Sequence, residues 1–73
     1  MDAKWTGAHI RALREREGLD QAAFALCLGY RAQARVSEIE TDRRTPGDSV
    51  LLLLDYIEAY GVLPAHRPTP GGG

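Results

Sequence analysis

The residues best equipped for chemistry lie close together: Gln33, Arg35, Ser37, Glu38, Arg43 and Arg44. An amide such as that of Gln33 can bond adenine at two points, and a guanidinium such as that of Arg35 can take guanine or phosphate. A carboxylate at Glu38 can accept from a cytosine amino group, or repel phosphates and so sharpen discrimination. The rest of the chain offers little for bond-making chemistry. Cys27 has no His or acid at a telling spacing, and a reactive thiol needs an electropositive setting. His9 and His66 are solitary, so with one cysteine and two distant histidines no zinc ligand set exists. No carboxylate pair, triad or phosphate loop is present. The sequence therefore predicts no catalytic residue, no metal and no cofactor.

The elements that must hold these groups lie between Asp20 and Glu40, a stretch that reads as two short helices around Gly29. Asp20 is a good N-cap, and Phe24 and Leu28 share a face at i, i+4. The first helix is expected over Gln21–Leu28 and is closed by Gly29. The second is expected over Ala32–Thr41, with Val36, Ile39 and Glu40 turned inward. Ala34, Ser37, Glu38 and Thr41 turn outward, with Gln33 and Arg35 at the flanks. That outward face is too small and polar for core packing but suits contact with base edges. Two helices crossing steeply over a tight turn form a helix-turn-helix, whose second helix enters a DNA major groove. The competing reading is an ordinary pair of antiparallel helices inside a small bundle.

Flanking segments complete an all-α domain. A short leader, Met1–Trp5, precedes a helix from after Thr6 to about Glu17, ended by Gly18. Ile10, Leu13, Arg14 and Glu17 share one face, and a charge on an apolar stripe such as Arg14 needs a partner. Leu19 drops into the core. Asp42 sits where a turn residue tolerant of left-handed backbone is wanted. Thr45-Pro46-Gly47-Asp48 reads as a capping box with Thr45 at N-cap and Pro46 at N1. The helix that follows runs to about Tyr60, closed by Gly61. Val50, Leu53, Leu54 and Ile57 fill one face, while Leu52, Tyr56, Ala59 and Tyr60 form a surplus stripe suited to a dimer interface.

Residues 1–61 are read as one domain and 62–73, rich in proline and glycine, as a disordered tail. Seventy-three residues suffice for one small core. No stretch alternates at period two, so no sheet is expected. A net charge of −1 argues against a lysine-coated general nucleic-acid binder. It leaves room for a site-specific one, since eight of nine basic residues are arginine. The single cysteine forms no internal disulfide, which suits a reducing cytoplasm, and Leu51–Leu54 is far too short to span a bilayer.

Taken in order, Ile10-Arg11-Ala12-Leu13-Arg14, Gly18-Leu19-Asp20-Gln21, Ala25, Leu28-Gly29, Val36-Ser37-Glu38-Ile39-Glu40 and Arg43-Arg44-Thr45-Pro46 resemble the lambda-repressor-like family of bacterial and phage regulators, the Cro or XRE type. The resemblance covers roughly Gly7–Gly61. It implies a compact bundle of four or five helices that binds double-stranded operator DNA, usually as a homodimer. Gln21 matches a glutamine that touches a phosphate and braces the first glutamine of the recognition helix, here Gln33. Arg14 and Glu40 match a buried ion pair linking the first and third helices. On this basis Gln33, Ala34, Ser37 and Glu38 are expected to read bases, while Gln21, Arg35, Arg43 and Arg44 hold phosphates. The chain has one residue more between Gly29 and Val36 than the family usually has, so the recognition helix begins at Ala32 or Gln33. It also lacks a full fifth helix, where many relatives dimerise. The expected function is a cytoplasmic transcriptional regulator: a phage or mobile-element repressor, or an antitoxin-like autoregulator with a toxin partner. The alternative is a protein-interaction module that kept the fold and lost DNA binding, which the acidic pI and Glu38 favour and Arg35, Arg43 and Arg44 oppose.

Overall fold

Three successive helices stop in the same way, and those stops set the shape of the molecule. The computed structural model describes residues 4–62. Helices α1 (Gly7–Arg16), α2 (Gln21–Cys27), α3 (Gln33–Glu40) and α4 (Asp48–Tyr60) follow in order, with no strand among the described residues. At each of the first three ends, the second residue past the cap donates its amide back to the carbonyl five positions earlier. Leu19 bonds Arg14 at 3.2 Å, Tyr30 bonds Ala25 at 2.8 Å, and Arg43 bonds Glu38 at 2.9 Å. This closure needs a left-handed residue just past the cap. Gly18 and Gly29 supply it, and at α3 Asp42 does so with φ of 59°. At the first two ends the motif also turns its last residue inward, so Leu19 is buried and Tyr30 packs against the core, while Arg43 at the third stays exposed.

The starts are as local as the stops. The Thr6 hydroxyl accepts from the His9 amide at 3.2 Å, and the Asp20 carboxylate from the Ala23 amide at 2.7 Å. Asp42 serves α1 as well, because its carboxylate accepts from the Gly7 amide at 2.8 Å. The N-terminus of α1 thus abuts the C-terminus of α3. A side chain at position 7 would run into the Glu40 carbonyl oxygen, so only glycine fits that approach.

Helix α3 packs on both α1 and α2. Ile10, Phe24, Val36, Ile39 and Leu54 form the centre of the core, with Leu13, Leu19, Leu28, Val50 and Ile57 around them. Trp5, expected in a leader, is itself a core residue. Its indole N–H donates to Asp55 at 2.9 Å, and its ring stacks on His9 at 4.2 Å. Lys4 bridges Asp55 and Glu58 at 3.0 Å each, and His9 reaches Glu58 at 2.7 Å. A short N-terminal strap is therefore stitched to one side of α4.

That strap explains one difference from the sequence reading. Leu53 was expected on the core face of α4, but it is exposed and Leu51 is half-buried in its place. Trp5 closes the core over the arc of α4 that carries Leu51, Asp55 and Glu58, and Leu53 is left on the opposite side. The start of α4 also differs. Gly47, not Thr45, is the N-cap, and no side chain caps the helix. Pro46 is buried and its ring disfavours helical backbone at Thr45, and the helix begins at Asp48. The proline-rich stretch 63–73 lies outside the described residues, whereas Val62 is buried, its amide donating to Glu17 at 2.9 Å.

Candidate nucleic-acid interface

Residues of α3 divide cleanly between core and surface. Val36 and Ile39 are fully buried, Gln33, Ala34 and Arg35 are exposed, and Ser37 and Glu38 are half-exposed. The helix begins at Gln33, with Ala32 as an uncapped N-cap, so the longer turn adds its residue ahead of the helix. Thr41, expected to face outward, is exposed at the far end and bonds back to the Ser37 carbonyl at 2.8 Å.

A chain of polar contacts fixes this helix from behind. Arg14 of α1 meets Glu40 of α3 through two hydrogen bonds, Nε to Oε2 at 2.7 Å and Nη2 to Oε1 at 3.2 Å. Side-chain exposures of 13% and 4% put the pair largely out of water. The remaining guanidinium nitrogen, Nη1, donates to the Leu19 carbonyl at 2.9 Å. The Glu40 hydrogen bond outweighs burial and raises the Arg14 pKa above its ordinary value, so the cation is secure. Glu40 Oε1 also accepts from Gln21 Nε2 at 3.2 Å. At the outer end, Gln33 Nε2 lies 3.5 Å from Gln21 Oε1, a long and weak contact. The sequence leads from a buried ion pair, through the start of α2, to the first residue of α3.

The surface charges are arranged less simply. Both Arg35 Nη1 and Arg44 Nε bond the same Glu38 oxygen, Oε1, at 3.1 and 3.2 Å. Burial works to raise the Glu38 pKa, but the bond from Arg35 and the charge and bond of Arg44 hold it below the ordinary value. Two of the residues expected to hold phosphates are thus paired with a carboxylate. Arg43 is exposed and has no ion pair among the described residues. The same holds for Arg31, which sequence reasoning passed over. Its signal was present: an arginine in the lengthened turn, immediately ahead of the α3 N-cap Ala32.

On α4, Leu52, Tyr56 and Tyr60 are 71%, 46% and 78% exposed, with Leu53 at 38%. The Tyr56 and Tyr60 rings lie 5.0 Å apart, and Ala59 is exposed in the same stripe. Among the described residues no cluster of metal-binding side chains occurs, and no helix is long and apolar enough to cross a membrane.

A family model described as a helix-turn-helix domain matches residues 5–69. The chain belongs to the helix-turn-helix domain family. It is of the Cro/XRE-like type, and the four-helix, strand-free arrangement accords with that membership. A helix-turn-helix domain points to a DNA-binding regulator, a class that is typically not enzymatic. No curated protein and no solved structure matches the chain.

Because Glu40 supports Arg14 and Gln21 together, loss of its charge should be costly for this helix-turn-helix domain. Removing one partner of a buried pair costs about 3–5 kcal/mol. At about 4–8 °C per kcal/mol for a domain of this size, Glu40→Gln should lower Tm by more than about 10 °C. Thermal unfolding followed by circular dichroism checks this, and a shift of only about 2 °C would contradict it.

Proposed function

We propose that the protein is a sequence-specific transcriptional repressor of the cytoplasm that binds an inverted-repeat operator as a dimer. The observation that carries this reading is the outward face of α3, polar and small, with Gln33 next to Gln21 and unpaired arginines at Arg31 and Arg43 on either side. Gln33, Ala34, Ser37 and Glu38 read base edges. Gln21, Arg35, Arg43 and Arg44, together with Arg31, hold phosphates.

The acidic balance of the whole chain does not oppose this reading, because charge is unevenly placed. Helix α4 carries Asp48, Asp55 and Glu58 and no basic residue. Arg31, Arg35, Arg43 and Arg44 gather around α3, where Glu40 is occupied by Arg14 and Asp42 by the Gly7 amide. What faces DNA is more basic than the net charge of −1 suggests.

Base and phosphate contacts leave different thermodynamic marks. Arg43→Ala should weaken binding to every duplex alike and flatten the dependence of log K on log salt by about one. Gln33→Ala should instead cost about 1–3 kcal/mol on the preferred sequence and relax choice at one base pair. Fluorescence anisotropy over a salt series, with duplexes selected from a random library, separates the two. Equal weakening of all duplexes by Gln33→Ala would remove it from base readout. Absence of salt-dependent binding to any duplex would favour a protein-interaction role.

The dimer half of the reading rests on the exposed stripe Leu52, Tyr56, Ala59 and Tyr60, to which Leu53 now adds. Two copies packed about a two-fold axis through α4 would set their recognition helices about one helical turn, roughly 34 Å, apart. Tyr56→Glu should give monomers in sedimentation, with helicity intact and operator affinity sharply reduced. A parent chain that stays monomeric at high micromolar concentration would exclude this interface.

A further inference from the structure

Glu38 occupies an unusual position for a group that faces polyanionic DNA. It is a half-exposed carboxylate on the outward side of α3, yet it collects two arginines on one oxygen. Arg35 approaches from the preceding turn of the same helix at 3.1 Å, and Arg44 from beyond the end of the helix at 3.2 Å. Its other oxygen, Oε2, takes no hydrogen bond from the described residues. Arg31 and Arg43, in contrast, stand exposed and unpaired. The cations around α3 thus fall into two classes, a free pair and a pair held by Glu38.

Taking the DNA-binding reading as its basis, we propose that Glu38 is a specificity-determining residue that holds Arg35 and Arg44 back from the phosphates of DNA of the wrong sequence. On random DNA only Arg31 and Arg43 engage freely, because drawing Arg35 or Arg44 away would leave the Glu38 carboxylate facing phosphates without its cations. On the right sequence a base amino group, such as that of cytosine, bonds Glu38 and takes the place of the arginines. Arg35 and Arg44 then turn to the backbone. Base recognition and phosphate affinity become coupled through one side chain, and non-operator binding is lowered without any loss of arginine.

The test measures binding to a random-sequence duplex across a salt series for the parent, Glu38→Gln, Arg44→Ala and the double variant. Glu38→Gln should bind the random duplex roughly ten-fold more tightly at low salt, with a salt slope steeper by about one to two. Arg44→Ala should change the slope little in the parent and by about one in the Glu38→Gln background. Preference for a library-selected duplex over the random one should shrink in Glu38→Gln. Glu15→Gln removes the same charge from the Arg11 pair on α1 and should leave the slope unchanged. An unchanged slope in Glu38→Gln, an equal gain in Glu15→Gln, or an Arg44→Ala effect that is the same in both backgrounds overturns the proposal while leaving DNA binding in place. Absence of duplex binding by every variant overturns both this proposal and the reading it rests on.

Discussion

Glu40 is the point through which the placement of α3 passes. Its carboxylate binds Arg14 through two hydrogen bonds and Gln21 through a third, linking α1, α2 and α3 at one buried locus. An ion pair so far out of water is not an efficient source of stability, since apolar side chains of similar volume often do as well. What it supplies is direction. A hydrophobic contact tolerates rotation and sliding, whereas two arginine nitrogens facing two carboxylate oxygens do not. The backbone reinforces the same locus, with Gly7 pressed against the Glu40 carbonyl and Asp42 capping α1. The end of α3 is fixed on α1, and its beginning lies beside Gln21.

Rigid support behind α3 leaves its outer face free to be chemically unsettled. Gln33 has only a long contact to Gln21, and Glu38 shares one oxygen between two arginines. Exposed ion pairs of this kind contribute little to stability and exchange partners readily. The structure thus separates a buried network that sets geometry from a surface network that can rearrange. Helix α4 is acidic and carries the strap of Lys4 and Trp5 on Asp55, whereas Arg31, Arg35, Arg43 and Arg44 lie on α3 and the turns at its two ends.

Local signals carried much of this into the sequence. Thr6 and Asp20 announce helix starts through their own side chains, and Gly18 and Gly29 announce ends through backbone freedom, all within a few residues. Arg14 and Glu40 were visible because charges on apolar stripes demand partners. Long-range packing was less visible. Nothing near Trp5 says that it will reach Asp55, and that contact decides which arc of α4 is buried and why Leu53 is not. Pro46 reads as a helix start by local rules and is drawn into the core by tertiary packing instead. The Arg35–Glu38 pair at i, i+3 was legible in spacing alone. Its convergence with Arg44 was not, because that depends on how the chain turns past Asp42.

Whether the outward face of α3 is the DNA-reading surface can be measured by mapping amide chemical shifts as a selected duplex is titrated into the labelled protein. Changes should concentrate at the start of α2 around Gln21, at Gln33, Ala34, Ser37 and Glu38, and at Arg31, Arg43 and Arg44, while the α1–strap side of the domain around Lys4, Trp5 and His9 stays still. Perturbation centred on that strap side, with α3 silent, would show that DNA is read elsewhere.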